Sequence, residues 1–129
     1  MAIDVLPACL AKIEGAYGVD ANPSATILLI EPKLTPLESD KAERNVVRHY
    51  MGNPQSIPTG FRCKLDFSIE LAGSGTKGDA PAYGPLLRAC GFAETKTAGV
   101  KVAYALVSSA FESATLYYNI GGINYKLLG

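Results

Sequence analysis

One segment of this 129-residue sequence has a spacing that could bind a nucleotide. Gly73-Ser-Gly-Thr-Lys-Gly78 fits the pattern G-x-G-x-x-G, in which glycines let a pyrophosphate approach the backbone at the start of a helix. Such a site needs a buried parallel strand before the glycines and a helix directly after them. The strand predicted before this segment is one-sided and the helix is predicted only after Pro81, so a flexible loop is the preferred interpretation. The order of a phosphate-binding P-loop is also missing, because Thr76 precedes Lys77.

The other side chains that could catalyse a reaction stand apart in the sequence. His49 is the one histidine, at the end of a predicted strand, where a structural or interface role is more common than that of a general base. Glu70, Asp79 and Glu94 are possible acids, but nothing in the sequence pairs them. Catalysis needs a nucleophile, a base and an oxyanion stabiliser together. The sequence therefore predicts no enzymatic activity and no catalytic residue.

The three cysteines, Cys9, Cys63 and Cys90, have no CxxC spacing. A zinc site needs four ligands at short paired spacings, so neither a metal site nor a bound cofactor is predicted. Cys63 and Cys90 fall on predicted apolar faces. Buried, reduced thiols of an intracellular protein are therefore preferred over a disulfide or a metal role.

The composition is that of a folded domain, with 48% hydrophobic and 19% charged residues. No apolar run approaches the roughly 18 residues that span a bilayer, and the N-terminus lacks the basic region of a secretory signal, so no membrane partner is predicted. Twelve basic residues balance twelve acidic ones. A neutral chain has no field to hold phosphate backbones tightly, and its low self-repulsion favours packing against copies of itself.

The clearest predicted element is a strand over residues 61–71, where apolar and polar residues alternate strictly. Side chains of a strand point to opposite faces in turn, so this pattern predicts a half-buried antiparallel strand. The apolar run at residues 25–30 predicts a strand that is buried on both faces or covered by a neighbouring subunit. Prolines, glycines and charged residues predict an arm over residues 1–24 and long loops over residues 37–60.

One short helix of about ten residues is predicted after Pro81, which suits the first turn of a helix. Its apolar stripe consists of Tyr83, Leu86, Leu87 and Cys90. Gly91 is the expected residue at its C-terminal end.

Three further strands are predicted, over residues 100–106, 114–120 and 123–128. Gly121-Gly122 can form a tight two-residue turn between the last two. Four to six strands with one helix predict a mainly β fold, an antiparallel β-sandwich or barrel with one short flanking helix, in a single domain of residues 1–129.

Several segments, taken in order, resemble the tail tube (major tail) proteins of long-tailed bacteriophages and prophages of Gram-negative bacteria. The most specific is Glu70-Leu-Ala-Gly-Ser-Gly-Thr-Lys-Gly-Asp-Ala-Pro-Ala-Tyr-Gly-Pro-Leu-Leu-Arg-Ala-Cys-Gly-Phe92. The others are residues 12–20, 34–38, 43–48 and 111–118 and the Gly121-Gly122 turn, so the resemblance spans almost the whole chain.

This resemblance implies a structural virion protein whose hexameric rings stack into a hollow tube for the viral genome. The loops at residues 37–60 and the arm at residues 1–24 are then expected to reach the next ring. The implied partners are other copies of the chain and tail proteins such as the tape measure and terminator, with DNA only as transient, non-specific cargo. The implied location is the tail of the virion, after assembly in the cytoplasm of the host bacterium.

Tail tube proteins usually continue past the last hairpin with further strands, whereas this sequence stops at Gly129. The C-terminal strands are therefore expected to be missing, which leaves a sheet edge open to pairing. Two alternative functions remain open. One is a tail-completion, connector or secretion-tube subunit, and the other is a small nucleotide-binding domain that uses the Gly73–Gly78 loop.

Overall fold

The computed structural model describes residues 8–129, in which eight strands and one short helix are formed. The strands are β1 Ala8–Ile13, β2 Thr26–Ile27, β3 Leu29–Glu43, β4 Ser56–Ile69, β5 Phe92–Thr97, β6 Lys101–Leu106, β7 Ala114–Ile120 and β8 Ile123–Leu127, and the helix is α1 Gly84–Ala89. The predicted mainly β class, with antiparallel sheets and one short helix, is confirmed. The three sheets formed by the described residues are open and do not close into a barrel. No helix in this part of the chain is long and apolar enough to cross a membrane.

The chain divides into two compact units. The first unit contains the described residues up to Ile30 together with Ser68–Gly129, and the second contains Glu31–Phe67. The second unit is made almost entirely of β3, β4 and the segment that joins them.

A four-stranded sheet in the order β2-β1-β7-β8 forms the centre of the first unit. Cys9 of β1 lies opposite Ile27 of β2 on one side and Tyr118 of β7 on the other. Side chains from these three strands make up the buried apolar core, namely Cys9, Ala11, Ile27, Tyr117 and Tyr118. Because β1 is hydrogen-bonded on both edges, the predicted arm over residues 1–24 is wrong for residues 8–13, while residues 1–7 lie outside the described residues.

The predicted turn at Gly121-Gly122 joins β7 to β8, which confirms this hairpin. Both glycines have a positive φ, +62° and +77°, as a tight two-residue turn between twisted strands requires. Ile120 and Ile123 therefore lie directly opposite each other. The predicted strands at residues 100–106 and 114–120 correspond to β6 and β7.

The helix is shorter than predicted, with six residues, and it begins three residues after Pro81. Pro85 occupies its first turn, where the missing N–H of a proline costs nothing. Gly91 follows the helix with a φ of +88°, as predicted for its C-terminal end. α1 packs against β1 and against β5, a strand that the sequence did not indicate.

The long loops predicted over residues 37–60 are wrong, because most of this region belongs to β3 and β4. Only residues 44–55 lie between the two strands. Pro32 and Pro36 argued against a strand, but a two-stranded sheet has only edge strands, where a missing N–H can face solvent. Proline is excluded from central strands, and neither β3 nor β4 is a central strand.

The strand predicted over residues 61–71 is confirmed for residues 61–69, which belong to β4, but its half-burial is only partly correct. Leu65, Phe67 and Ile69 are half-buried, whereas Phe61 and Cys63 are exposed. The run at residues 25–30 is also not buried on both faces. Ile27 is buried but its neighbour Leu28 is 77% exposed.

Candidate functional site

An exposed apolar surface lies at the end of the β3–β4 hairpin, residues 44–55, here called the tip. Every residue of the tip is exposed. Val47 and Met51 are 105% and 104% exposed, and Tyr50 is 56% exposed. Large apolar side chains in such a group usually mark a surface that contacts another molecule.

The reason for this exposure is the architecture of the second unit. A two-stranded hairpin has no second layer against which to bury an apolar face, and such hairpins are marginally stable in water. Leu37 on β3 and Phe61 on β4 are accordingly exposed as well, by 66% and 64%. The hairpin thus presents apolar side chains along its strands and at its tip.

Ion pairs hold the two strands of the hairpin together. The Arg62 guanidinium donates to Glu38 at 3.1 Å and to Asp40 at 2.9 Å. These hydrogen bonds, chiefly those to Asp40, raise the pKa of Arg62. All three side chains are about half exposed, so the pairs specify the alignment of the strands more than they stabilise the fold.

The tip is positively charged, since residues 44–55 contain Arg44 and Arg48 but no acidic residue. Arg48 donates a 2.9 Å hydrogen bond to the Tyr50 hydroxyl. His49 lies edge-on to the Tyr50 ring at 5.1 Å between ring centroids. His49 lies in the segment between β3 and β4. The prediction that it lies at the end of a strand is wrong.

In the first unit, a carboxylate cluster forms at the end of β1. Glu14 accepts hydrogen bonds from the Ser113 and Thr115 hydroxyls at 2.5 and 2.9 Å, and from the backbone N–H groups of Gly18 and Gly129 at 2.8 and 3.1 Å. These donors, with Ser113 the largest influence, lower the pKa of Glu14 to about 2. Glu14 is thus an ionised, fully bonded carboxylate that ties three chain segments together.

A second cluster lies on the adjoining strands β7 and β8. The Tyr117 hydroxyl and the Lys126 ammonium both donate to Asp20, the latter at 2.9 Å. The Tyr117 bond, followed by the Lys126 bond, lowers the pKa of Asp20 to about 2. Lys126 also lies 4.7 Å from the centre of the Tyr117 ring, a favourable cation–π distance.

A third cluster surrounds Glu94, one of the acids singled out in the sequence. The Tyr104 hydroxyl donates to Glu94 at 2.6 Å and Lys96 lies 3.2 Å from the other carboxylate oxygen. Burial raises the pKa of Glu94, but these bonds outweigh it and the pKa lies below its usual value. Burial and the bond to Glu94 raise the pKa of Tyr104.

An ion pair fastens the helix to the segment before β7. Arg88 in the last turn of α1 donates from Nε and Nη2 to the two carboxylate oxygens of Glu112, each at 2.6 Å. Two parallel bonds of this kind give a charge pair both strength and a defined orientation. The bond raises the pKa of Arg88 and lowers that of Glu112.

The glycine segment at residues 73–78 folds on itself and against the β5–β6 turn. The Ser74 hydroxyl accepts from the Thr76 N–H and donates to backbone carbonyls of the same loop. A Cβ at Gly78 would lie 2.5 Å from the Gly99 nitrogen, so the loop and the turn are in close backbone contact. Among the described residues, β4 before the loop pairs only with β3 and α1 begins at Gly84, so residues 8–129 do not form the strand-loop-helix geometry of a dinucleotide site.

Glu70 and Asp79 lie in different surroundings from Glu94. Glu70 borders an apolar groove of about 320 Å³, here called the Leu28 groove. The groove is lined by Thr26, Ile27, Leu28, Ile69, Glu70, Ala72, Gly73, Ser74, Ala82 and Tyr83. Asp79 closes the glycine loop, where its N–H donates to the Thr76 carbonyl. Within residues 8–129, no group of three or more potential ligands is placed to hold a metal ion.

The cysteines are free thiols in three different settings. Cys9 is buried, and burial raises its pKa to about 11. Cys63 and Cys90 are exposed, so their predicted burial is wrong. Cys63 lies in the exposed part of β4, and the helix ends at Ala89, one residue before Cys90.

Sequence patterns did not reveal the bonds of Glu14 and Asp20, whose partners lie about a hundred residues away.

No protein-family model, curated protein or solved structure matches this chain.

Proposed function

We propose that this chain is a structural subunit of a bacteriophage tail tube, which self-assembles into stacked hexameric rings that form the conduit for DNA. Its place is the tail of the virion, after assembly in the host cytoplasm, with tape-measure and terminator proteins as further partners. The resemblance of residues 70–92 to tail tube proteins supports this function. The mainly β fold with antiparallel sheets and one short helix is the class that such a subunit needs.

The observation that favours self-association most directly is the exposure of the hairpin unit. Val47 and Met51 are fully exposed, and Phe61 and Leu37 are about two-thirds exposed. Burial of a Val or Met side chain is worth roughly 1.5–3 kcal/mol, which the isolated chain does not gain for these residues. A subunit that pairs with copies of itself recovers this free energy on assembly.

The electrostatics of the polar clusters also favour a structural role. The pKa values of Glu14 and Asp20 are lowered to about 2, so both stay ionised at neutral pH. A general acid or base works best when its pKa lies near the operating pH. These carboxylates suit the joining of chain segments and do not suit proton transfer. The zero net charge suits a conduit that does not hold DNA tightly.

Negative-stain electron microscopy and multi-angle light scattering of the purified chain test this proposal. Rings or tubes are expected, with a molar mass that increases with protein concentration. In the same assay, Val47→Ser and Met51→Ser should weaken assembly, while the free energy of unfolding changes by less than about 0.5 kcal/mol because both positions are exposed.

Val100→Ser is the matched control, because Val100 is also exposed, by 64%, but lies in the other unit at the β5–β6 turn. It should leave assembly unchanged. A chain that remains a monodisperse monomer at high concentration, with neither rings nor tubes on the grid, contradicts the proposed function.

A further inference from the structure

Two exposed apolar surfaces of this chain complement each other. The Leu28 groove in the first unit has a volume of about 320 Å³ and is lined by Leu28, which is 77% exposed. At the tip in the second unit, the side chains of Val47 and Met51 are fully exposed to solvent. An apolar groove and projecting apolar side chains are the two halves of a typical interface core.

The charges of the two surfaces are opposite. Glu70 is the single charged residue that lines the Leu28 groove, and it makes no ion pair within residues 8–129. The tip has Arg44 and Arg48 and no acidic residue, and neither arginine makes an ion pair in the described part of the chain. Opposite charges beside an apolar contact guide two surfaces into one orientation.

From this match we infer that the tip of one copy docks into the Leu28 groove of a second copy of the chain. Val47 and Met51 enter the groove, and Arg48 lies beside Glu70. Such a contact is heterologous, since tip and groove are different surfaces, and repetition of it generates rings or open stacks. The inference rests on the proposed function and adds the two surfaces through which the copies meet.

Disulfide cross-linking between two differently labelled batches tests the contact. Both batches contain Cys63→Ser and Cys90→Ser, which remove the exposed thiols and leave the buried Cys9. One batch adds Val47→Cys, and the other adds Leu28→Cys and an affinity tag that increases its size. After mixing and mild oxidation, the mixed dimer should form about tenfold faster or more than in a control pair, because a bound tip raises the local thiol concentration to about millimolar.

The control pair combines Val47→Cys with Val100→Cys, an exposed position outside the groove. Charge reversal provides a second measurement on the same batches. Arg48→Glu and Glu70→Arg should each slow formation of the mixed dimer by about two- to fivefold, and the two changes together should restore it. Both positions are on the surface, so loss of folding does not explain a slower reaction.

Two results separate this inference from the proposed function. If the unmodified chain forms rings or tubes but the Val47–Leu28 pair cross-links no faster than the control pair, the docking inference is overturned and the proposed function stands. A tip that occupies the groove of its own copy also gives no mixed dimer and overturns the inference. If the unmodified chain stays monomeric, the proposed function fails, and docking between copies fails with it.

Discussion

The Thr115 hydroxyl donates a 2.9 Å hydrogen bond to the Glu14 carboxylate, although 101 positions separate the two residues in the chain. The pairing of β1 with β7 brings them together. Ile13, the last residue of β1, lies opposite Ala114, the first residue of β7, so Glu14 and Thr115 lie at the same end of the strand pair. Ser113 and the backbone N–H groups of Gly18 and Gly129 complete the set of donors. One buried acid thereby joins the end of β1, the start of β7 and the last residue of the sequence.

Replacement of Glu14 by Gln should lower the free energy of unfolding at pH 7 by about 1–3 kcal/mol, because its donors, among them the buried Thr115 hydroxyl, lose a charged acceptor. The pKa of Glu14 is about 2 in the folded chain and 4.5 ordinarily. A lowered pKa stabilises the fold above the ordinary value, and this stabilisation disappears as the pH falls from about 5 to about 2. Glu14→Gln should therefore show a flatter decline of stability over that range in urea denaturation.

Glu70→Gln is the control for this measurement, since Glu70 is exposed and makes no ion pair in residues 8–129. Its stability at pH 7 should stay within about 0.5 kcal/mol of the parent chain. An acid dependence in Glu14→Gln as steep as that of the parent chain contradicts the role given to this carboxylate.

Gly78→Ala should destabilise the fold more than Gly75→Ala. Both glycines have a left-handed backbone, with φ of +84° and +81°, so an alanine costs about 1 kcal/mol at either position. At Gly78 the new Cβ also meets the Gly99 nitrogen at 2.5 Å and the Thr97 carbonyl oxygen at 2.9 Å, whereas at Gly75 nothing lies within 4 Å. The overlap should add about 1–3 kcal/mol in thermal or urea denaturation. Equal losses in the two variants contradict the close contact between the glycine loop and the β5–β6 turn.

Tyr104 should ionise at a higher pH than an ordinary tyrosine, whose pKa is 10.0. Burial and the bond to Glu94 raise the pKa of Tyr104, because a phenolate there lies beside a carboxylate with little solvent. A raised pKa stabilises the fold below the ordinary value of 10, and this contribution is lost as the pH rises further. Titration by ultraviolet absorbance should show that Tyr104→Phe removes an ionisation step above the ordinary pKa of 10. An absorbance change above pH 10 in Tyr104→Phe that equals that of the parent chain contradicts the assignment.

Thiol labelling should distinguish the three cysteines. Cys63 and Cys90 are exposed and should react rapidly with a maleimide, whereas Cys9 is buried and burial raises its pKa to about 11. Mass spectrometry at neutral pH should show two fast additions and a third that proceeds only on unfolding. Cys63→Ser and Cys90→Ser should each remove one fast addition, and rapid labelling of Cys9 in the folded chain contradicts its burial in the core.

The sequence by itself determined those elements whose signals are local. Strict alternation predicted the strand within β4, and Gly121-Gly122 predicted the turn between β7 and β8, because the period of a strand and the positive φ of a turn depend on adjacent residues. The mainly β class with one short helix followed from the same signals.

Only the tertiary structure decided which faces are covered and which distant residues meet. Alternation separates the face of Phe61 from that of Arg62, but it does not predict whether a second layer covers either face. Most residues of the hairpin are in fact exposed. The place of β1 between β2 and β7, and the donors around Glu14, depend on pairing between residues about a hundred positions apart. Such pairing is selected by the burial that the folded chain achieves as a whole, which no local window of sequence contains.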